Sequence, residues 1–175
     1  MTDDNTPQPV RVEEANIEGD DAAARRALAA KFKAAAFGEI VSVLMRSKNH
    51  RALTLAEIET FVVPPVLSKQ YLVARARPQN DPSDAGMPVG VVLWAKVSDE
   101  LDRRLSAAAG AVALNPADWT SGEHLWVIDV VAAPAVAQAM IEELKRSVFA
   151  GRRAKIRVRR EGGIAVETIE GALAA

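Results

Sequence analysis

The sequence predicts an α/β fold in which helices flank a mixed sheet. Two patterns carry that expectation. Stretches with apolar residues at helical spacing alternate with short apolar or two-residue-period stretches. The segment Leu125-Trp126-Val127-Ile128-Asp129-Val130-Val131 is so nearly apolar throughout that it reads as a central strand covered on both faces. At 175 residues, the chain is suited to one domain with one core.

The first residues stand apart. Asp3, Asp4, Glu13, Glu14, Glu18, Asp20 and Asp21 are opposed only by Arg11. With little apolar content, residues 1–21 are expected to form a disordered acidic tail ahead of a domain over 22–175. From Ala22, apolar residues through Leu28, Phe32, Ala36, Ile40, Val43 and Leu44 recur near helical spacing, with Gly38 placed to break the run into two helices. After Ser47-Lys48-Asn49-His50-Arg51, Thr54-Leu55-Ala56-Glu57 forms a capping box, and Leu53 with Ile58 makes its hydrophobic staple. That puts His50 in a turn between helices. The following helix is expected to stop at Val63, ahead of Pro64 and Pro65.

Residues 70–75 and 90–94 read as strands of a hairpin whose connection, rich in Pro, Asn, Asp and Gly, is an exposed turn. Ser98 caps a helix opening on Asp99 and Glu100 and burying Leu101 and Leu105. Beyond the central strand, Pro134 starts a helix with Val136, Met140, Ile141, Leu144 and Val148 on one stripe. A closing hairpin pairs 155–159 with 164–169 around Glu161-Gly162-Gly163.

Composition restricts the chemistry. With no cysteine, disulfides, thiolate metal sites and a Cys nucleophile are all excluded, and only His50 and His124 supply imidazoles. The polar, acidic start and the lack of a long apolar run give no sign of a leader or membrane span, so a cytoplasmic location is expected. The net charge is −1, yet Lys145, Arg146, Arg152, Arg153, Lys155 and Arg157 lie in a stretch without carboxylates. This stripe is either a solvated face or a dock for an acidic partner. It lacks interleaved aromatics, which argues against nucleic acid.

Asp129 is the anomaly of the central strand. A carboxylate among apolar neighbours must be compensated, either by backbone or Trp N–H donors or by a cation. His50 is the natural candidate cation, because a carboxylate that orients an imidazole makes it a usable base near neutral pH. Spacing alone does not bring the two together.

The run Asp118-Trp119-Thr120-Ser121-Gly122-Glu123-His124-Leu125-Trp126-Val127-Ile128-Asp129, with Ala133-Pro134 beyond, resembles the signature of the RTX toxin-activating lysine acyltransferases. Ser47-x-x-His50-Arg51, Val63-Pro64, Gln70-Tyr71 and Ala154-Lys155-Ile156-Arg157 are similar to further positions of that family, so the resemblance covers roughly Ser42 to Arg157. It implies a GNAT-like single domain, a homodimer, no bound cofactor and no metal, acyl carrier protein as donor of a fatty acyl group, and internal lysines of an RTX protoxin as acceptor. Carried over by position, the catalytic pair is His50 and Asp129, acting by base-assisted thioester aminolysis or through an acyl-His50 intermediate. Ser47, Trp119, Thr120, Ser121 and Gly122 are acyl-site candidates, the last four being equally readable as a tight turn. The basic stripe becomes a candidate dock for the carrier. His124 is read as a surface residue.

The chain departs from the family pattern in its acidic tail, its longer hairpin loop, Ala52-Leu53 after Arg51, and Phe61 where the family carries Asn, which leaves the oxyanion donor unassigned. Two other readings follow from the same residues. One is a catalytically degenerate member that binds carrier or partner. The other is a coenzyme-A-dependent N-acetyltransferase, disfavoured because Ala132-Ala133-Pro134-Ala135 lacks the glycines of a pyrophosphate loop, while Arg160-Glu161-Gly162-Gly163 reads as a hairpin turn.

Overall fold

A computed structural model describes residues 17–76 and 86–173, with side chains from residue 22. It divides into two units, Met1–Phe32 and Lys33–Ala175. The tail expected over 1–21 lies outside the described residues as far as residue 16; from Ile17 the chain is helical. Within the first unit the described chain is the opening of helix α1, Ile17–Arg46.

The second unit continues α1 and adds α2 (Leu55–Ser68), β1 (Tyr71–Ala76), β2 (Met87–Val97), α3 (Asp99–Ala107), a 3₁₀ turn (Pro116–Trp119), β3 (His124–Val131), α4 (Pro134–Arg146), β4 (Arg153–Arg160) and β5 (Gly163–Glu170). Two expected helix ends are corrected. Gly38 does not break α1; its helix cost of about 1 kcal/mol is small against the burial of Ala36, Ile40, Val43 and Leu44 around it. Nor does α2 stop at Val63, for it runs through Pro64 and Pro65 to Ser68. Burial of Val62, Pro65 and Val66 holds that last turn. The Ser68 hydroxyl donates to Pro64 O at 2.8 Å. Lys69 closes the helix in the left-handed region, φ 58°, with its N–H directed at Pro65 O and Val66 O, carbonyls left open by the end of the helix. The start of α2 follows the sequence, with both bonds of the Thr54–Glu57 capping box formed.

The sheet is mixed, in the order β1-β2-β3-β4-β5, with only β3 and β4 parallel. Each face has its own apolar core. On one face Leu93, Ala95, Leu101, Trp119 and Trp126 pack with Ile40, Val43 and Val62. On the other, Val92, Trp94, Leu125 and Val127 pack with Met140 and Leu144 of α4 and with Phe149. Val148, expected on the α4 stripe, is corrected: the helix ends at Arg146 and Val148 is 38% exposed, while Phe149 turns inward behind it.

Strand β3 contains the irregularity that matters most. Leu93 pairs with Asp129 and Trp94 with Val127, so Ile128 is an extra residue, a β-bulge. In an unbroken two-residue period, Ile128 and Asp129 would point to opposite faces. The bulge instead aligns Asp129 with Leu93, whose side chain belongs to the α1–α2 face.

Candidate active site

His50 is placed by a tight turn leaving α1. Ser47 N–H donates to Leu44 O, His50 N–H and Arg51 N–H to Ser47 O, and Leu53 N–H to His50 O, all within 3.0–3.2 Å. The α2 capping box then fixes the exit. This turn and the re-aimed Asp129 meet: His50 Nε2 lies 2.6 Å from Asp129 Oδ2, with side chains 18% and 23% exposed. The other carboxylate oxygen accepts from Val130 N–H at 2.8 Å. Asp129 thus takes both kinds of partner considered from the sequence, a backbone donor and His50.

The hydrogen bond to Asp129 raises the His50 pKa above its ordinary 6.5; partial burial opposes this, and the carboxylate charge adds to it. On its other side, Ser47 Oγ lies 2.8 Å from His50 Nδ1. With Nε2–H donating to the carboxylate, the neutral ring keeps its lone pair on Nδ1, where the Ser47 hydroxyl donates. The three side chains form a chain, Ser47 to His50 to Asp129. Phe61 stacks on the imidazole at 6.3 Å between ring centres, and Trp119 meets Phe61 edge-on at 6.2 Å.

Of Trp119, Thr120, Ser121 and Gly122, only Trp119 approaches this pair. The buried Gln70 side chain donates to Trp119 O at 3.0 Å, joining two sequence motifs. Thr120 bridges to Lys96. Ser121 Oγ accepts from Ser98 N–H at 2.9 Å and donates to Asp118 O at 3.0 Å. Gly122 abuts β2 so closely that a Cβ would sit 2.5 Å from Val97 O. These contacts make a tight turn that locks the start of β3 against the β2–α3 junction. His124 is an exposed residue paired with Asp99 at 2.6 Å.

The basic stripe is matched by carboxylates from elsewhere in the chain. Lys145 pairs with Glu142, Arg146 with Glu143, Arg152 with Glu123 and Arg153 with Glu170, at 2.7–3.4 Å. Lys155 reaches Asp102 at 2.8 Å and lies over the Trp126 ring. Trp126 Nε1–H also donates to Asp102, at 2.7 Å. Burial raises the Asp102 pKa, but the bonds from Lys155 and Trp126 outweigh it and hold the carboxyl below its ordinary range. Asp102 carries no signal in the sequence because its partners lie on distant strands. Arg157 is spent on backbone, donating to Ala108 O and Gly110 O at 2.5 and 2.7 Å.

The expected turn at Glu161-Gly162 joins β4 to β5, and α4 begins at Pro134 with Ala133 making no side-chain cap. Among the described residues, no cluster of three His, Asp or Glu side chains is placed to hold a metal ion, and no helix is long and apolar enough to cross a membrane.

The family model described as "HlyC: RTX toxin acyltransferase family" matches residues 30–170. The chain belongs to the RTX toxin acyltransferase family. Among curated relatives of this family member, the RTX-II toxin-activating lysine-acyltransferase ApxIIC of Actinobacillus pleuropneumoniae is 26% identical over 95 residues, 54% of this chain and 53% of that protein. The lysine-acyltransferase RtxC of Vibrio cholerae is 23% identical over 112 residues, 64% of this chain and 67% of that one. An uncharacterized protein of Synechocystis is 25% identical over 112 residues, 64% and 71% of the two chains. The alignments therefore span from about half to seven tenths of the relatives' length. The match from residue 30 to 170 takes in the turn bearing His50, the bulge before Asp129 and the whole sheet.

Proposed function

We propose that this family member is a protein-lysine acyltransferase that moves a fatty acyl group from acyl carrier protein to internal lysines of an RTX-type protoxin. The observation that carries the reading is the 2.6 Å contact of His50 with Asp129 in a chain of this family. The His50 lone pair at Nδ1 takes a proton from the attacking lysine nitrogen, through the Ser47 hydroxyl or in its place. The nitrogen forms its bond to the thioester carbonyl carbon as the C–S bond breaks. Asp129 balances the imidazolium, which returns the proton to the departing carrier thiolate. No cofactor enters these steps; the acylated carrier is a co-substrate. An acyl-His50 intermediate would instead require Nδ1 as nucleophile and would leave a trappable acyl-imidazole.

Exposed pairs such as Arg146–Glu143 and Arg153–Glu170 are each worth less than about 1 kcal/mol. They exchange readily for acidic groups of an incoming carrier, which supports docking along this stripe. We place the protein in the cytoplasm, where acylated carrier and unexported protoxin coexist, and propose a homodimer. The test is mass spectrometry of an RTX protoxin incubated with acylated carrier and this chain. Acyl-lysine is expected with the parent protein and absent with His50→Ala; unmodified protoxin in both reactions would overturn the assignment.

A further inference from the structure

A small pocket opens on the Nδ1 side of His50, bounded by the end of α1, the start of β2 and the chain leaving β3. Its volume is about 270 Å³. Ser47, whose hydroxyl is bonded to Nδ1, lines it together with Arg46, Val89, Val131, Ala132 and Ala133. We propose that this pocket is the port through which the acceptor lysine reaches the base, and that Arg46 at its rim selects lysines with a neighbouring carboxylate. The inference rests on the acyl-transfer reading above.

The lining identifies the occupant. The Ser47 hydroxyl gives its proton to Nδ1 at 2.8 Å, so its oxygen keeps lone pairs for an incoming N–H. Beside it stand the short aliphatic side chains of Val89, Val131 and the two alanines. Val131 lies two residues beyond Asp129 and packs on the same face of the sheet. An alkyl stem that ends in nitrogen matches this mixture of aliphatic and polar groups, and a plain hydrocarbon chain does not. The volume falls below the range of about 300–1,000 Å³ for drug-sized ligands, which suits a single side chain.

Charge then sets the specificity. Among the described residues lining the pocket, none is a carboxylate and Arg46 is the one cation. A carboxylate there would hold lysine as its ammonium, which has no lone pair to attack with, whereas a cation favours the free amine. The same cation repels an arriving ammonium, unless the acceptor brings a compensating negative charge. Arg46 is placed to receive that charge. Its guanidinium donates to Pro88 O, in the residue before Val89, so the exposed side chain reaches from α1 to β2 at the rim. That bond engages one of five N–H donors, and no carboxylate among the described residues pairs with Arg46. The remaining donors suit a carboxylate, which a guanidinium can hold through two N–H bonds.

The test uses fluorophore-labelled peptides that share one central lysine, flanked on both sides by Asp, by Ala or by Arg, with binding read by anisotropy in the absence of donor. The parent is expected to bind the Asp-flanked peptide about tenfold more tightly than the Ala-flanked one. Arg46→Glu should invert the order, so that the Arg-flanked peptide binds best. Arg46→Gln, which keeps a donor for Pro88 O, should abolish the preference. Val89→Phe, which fills the pocket, should weaken all the peptides by about tenfold or more. Arg103→Glu makes the same change of charge in α3, beyond the opposite end of β2, and should leave the parental order. A parent with no preference for Asp, an order that Arg46→Glu leaves unchanged, equal inversion by Arg103→Glu, or binding indifferent to Val89→Phe would overturn the proposal. Transfer is measured separately with acylated carrier as donor, where Arg46→Gln should raise KM for the Asp-flanked peptide about tenfold and keep kcat within about twofold. Arg46-dependent binding without acylation of any peptide would refute the acyltransferase reading alone; acylation at rates blind to the Arg46 and Val89 changes would refute the port alone.

Discussion

Replacing Asp129 by Asn keeps the size of the side chain and removes its charge, so the consequence follows from the two ends of the imidazole. In the parent, Nε2 faces Asp129 Oδ2 at 2.6 Å and Nδ1 faces Ser47 Oγ at 2.8 Å. An Asn amide presenting its NH₂ to Nε2 selects the opposite tautomer, with the proton on Nδ1 and directed at Ser47. The lone pair then points away from the substrate side. Loss of the base and its counter-charge is expected to slow acylation by about 10²–10⁴-fold, or ~3–5 kcal/mol at 1.36 kcal/mol per decade. Folding changes less, because a charge-assisted hydrogen bond between partly exposed groups contributes about 1.5–3 kcal/mol at most.

The pH dependence has a definite sign. His50 has a raised pKa in the folded protein, and a base must be neutral, so the rate rises with pH through that raised value. The Asp129→Asn protein should have its acid limb moved to lower pH. Stability runs the other way: the contribution of the pair is complete below about 6.5, the unfolded histidine value, and is lost as pH rises through the folded one. With the carboxylate gone, that slope should disappear. The assay is initial acylation rate against pH, with urea melts at matching pH. Rates within threefold of the parent and an unmoved acid limb would refute the role given to Asp129.

Ser47→Ala removes the Nδ1 partner and is expected to slow acylation about tenfold through misorientation of His50, with rescue by Ser47→Thr; equal loss in both variants would indicate a packing role. Gly122→Ala puts a Cβ 2.5 Å from Val97 O, and overpacking of about 1–3 kcal/mol should appear as a lowered Tm by calorimetry. Asp102→Ala strands Trp126 Nε1 and Lys155, with an expected loss of about 1–3 kcal/mol at neutral pH. Because the Asp102 pKa is lowered, that loss should be full above the unfolded carboxyl value of about 3.9 and fade as pH falls through the folded one, which urea melts across the acid range would show.

Local signals in the sequence were legible where local chemistry decides structure. The Thr54 and Ser98 caps, the β4–β5 turn and the strand around Trp126 are set by groups within a few residues of one another. Gly38 and Pro64-Pro65 misled because burial of Ile40, Val62 and Val66 outweighs a helix propensity that speaks only of isolated helices. The pairing of His50 with Asp129 was reachable only through family likeness. Its physical cause, the extra residue at Ile128, leaves no mark in an apolar run where either phase is equally hydrophobic. The stripe from Lys145 to Arg157 read as unbalanced because Glu123, Glu170 and Asp102 come from other elements, a matching that only tertiary structure makes.

The order of the sheet has a consequence for synthesis. Its strands lie side by side in the order in which the ribosome makes them, so each strand emerges to find its neighbour already in place. His50 and Asp129 meet as soon as β3 has left the exit tunnel, while Arg157 is still inside it and cannot fasten the 108–110 turn. During that interval β3, apolar on both faces, is an unpaired border open to other nascent chains. Emergence of the α4 segment from the tunnel is therefore the moment of greatest risk. Chains arrested with β3 outside the tunnel and β4 still inside it should aggregate, and chains released past β5 should stay dispersed.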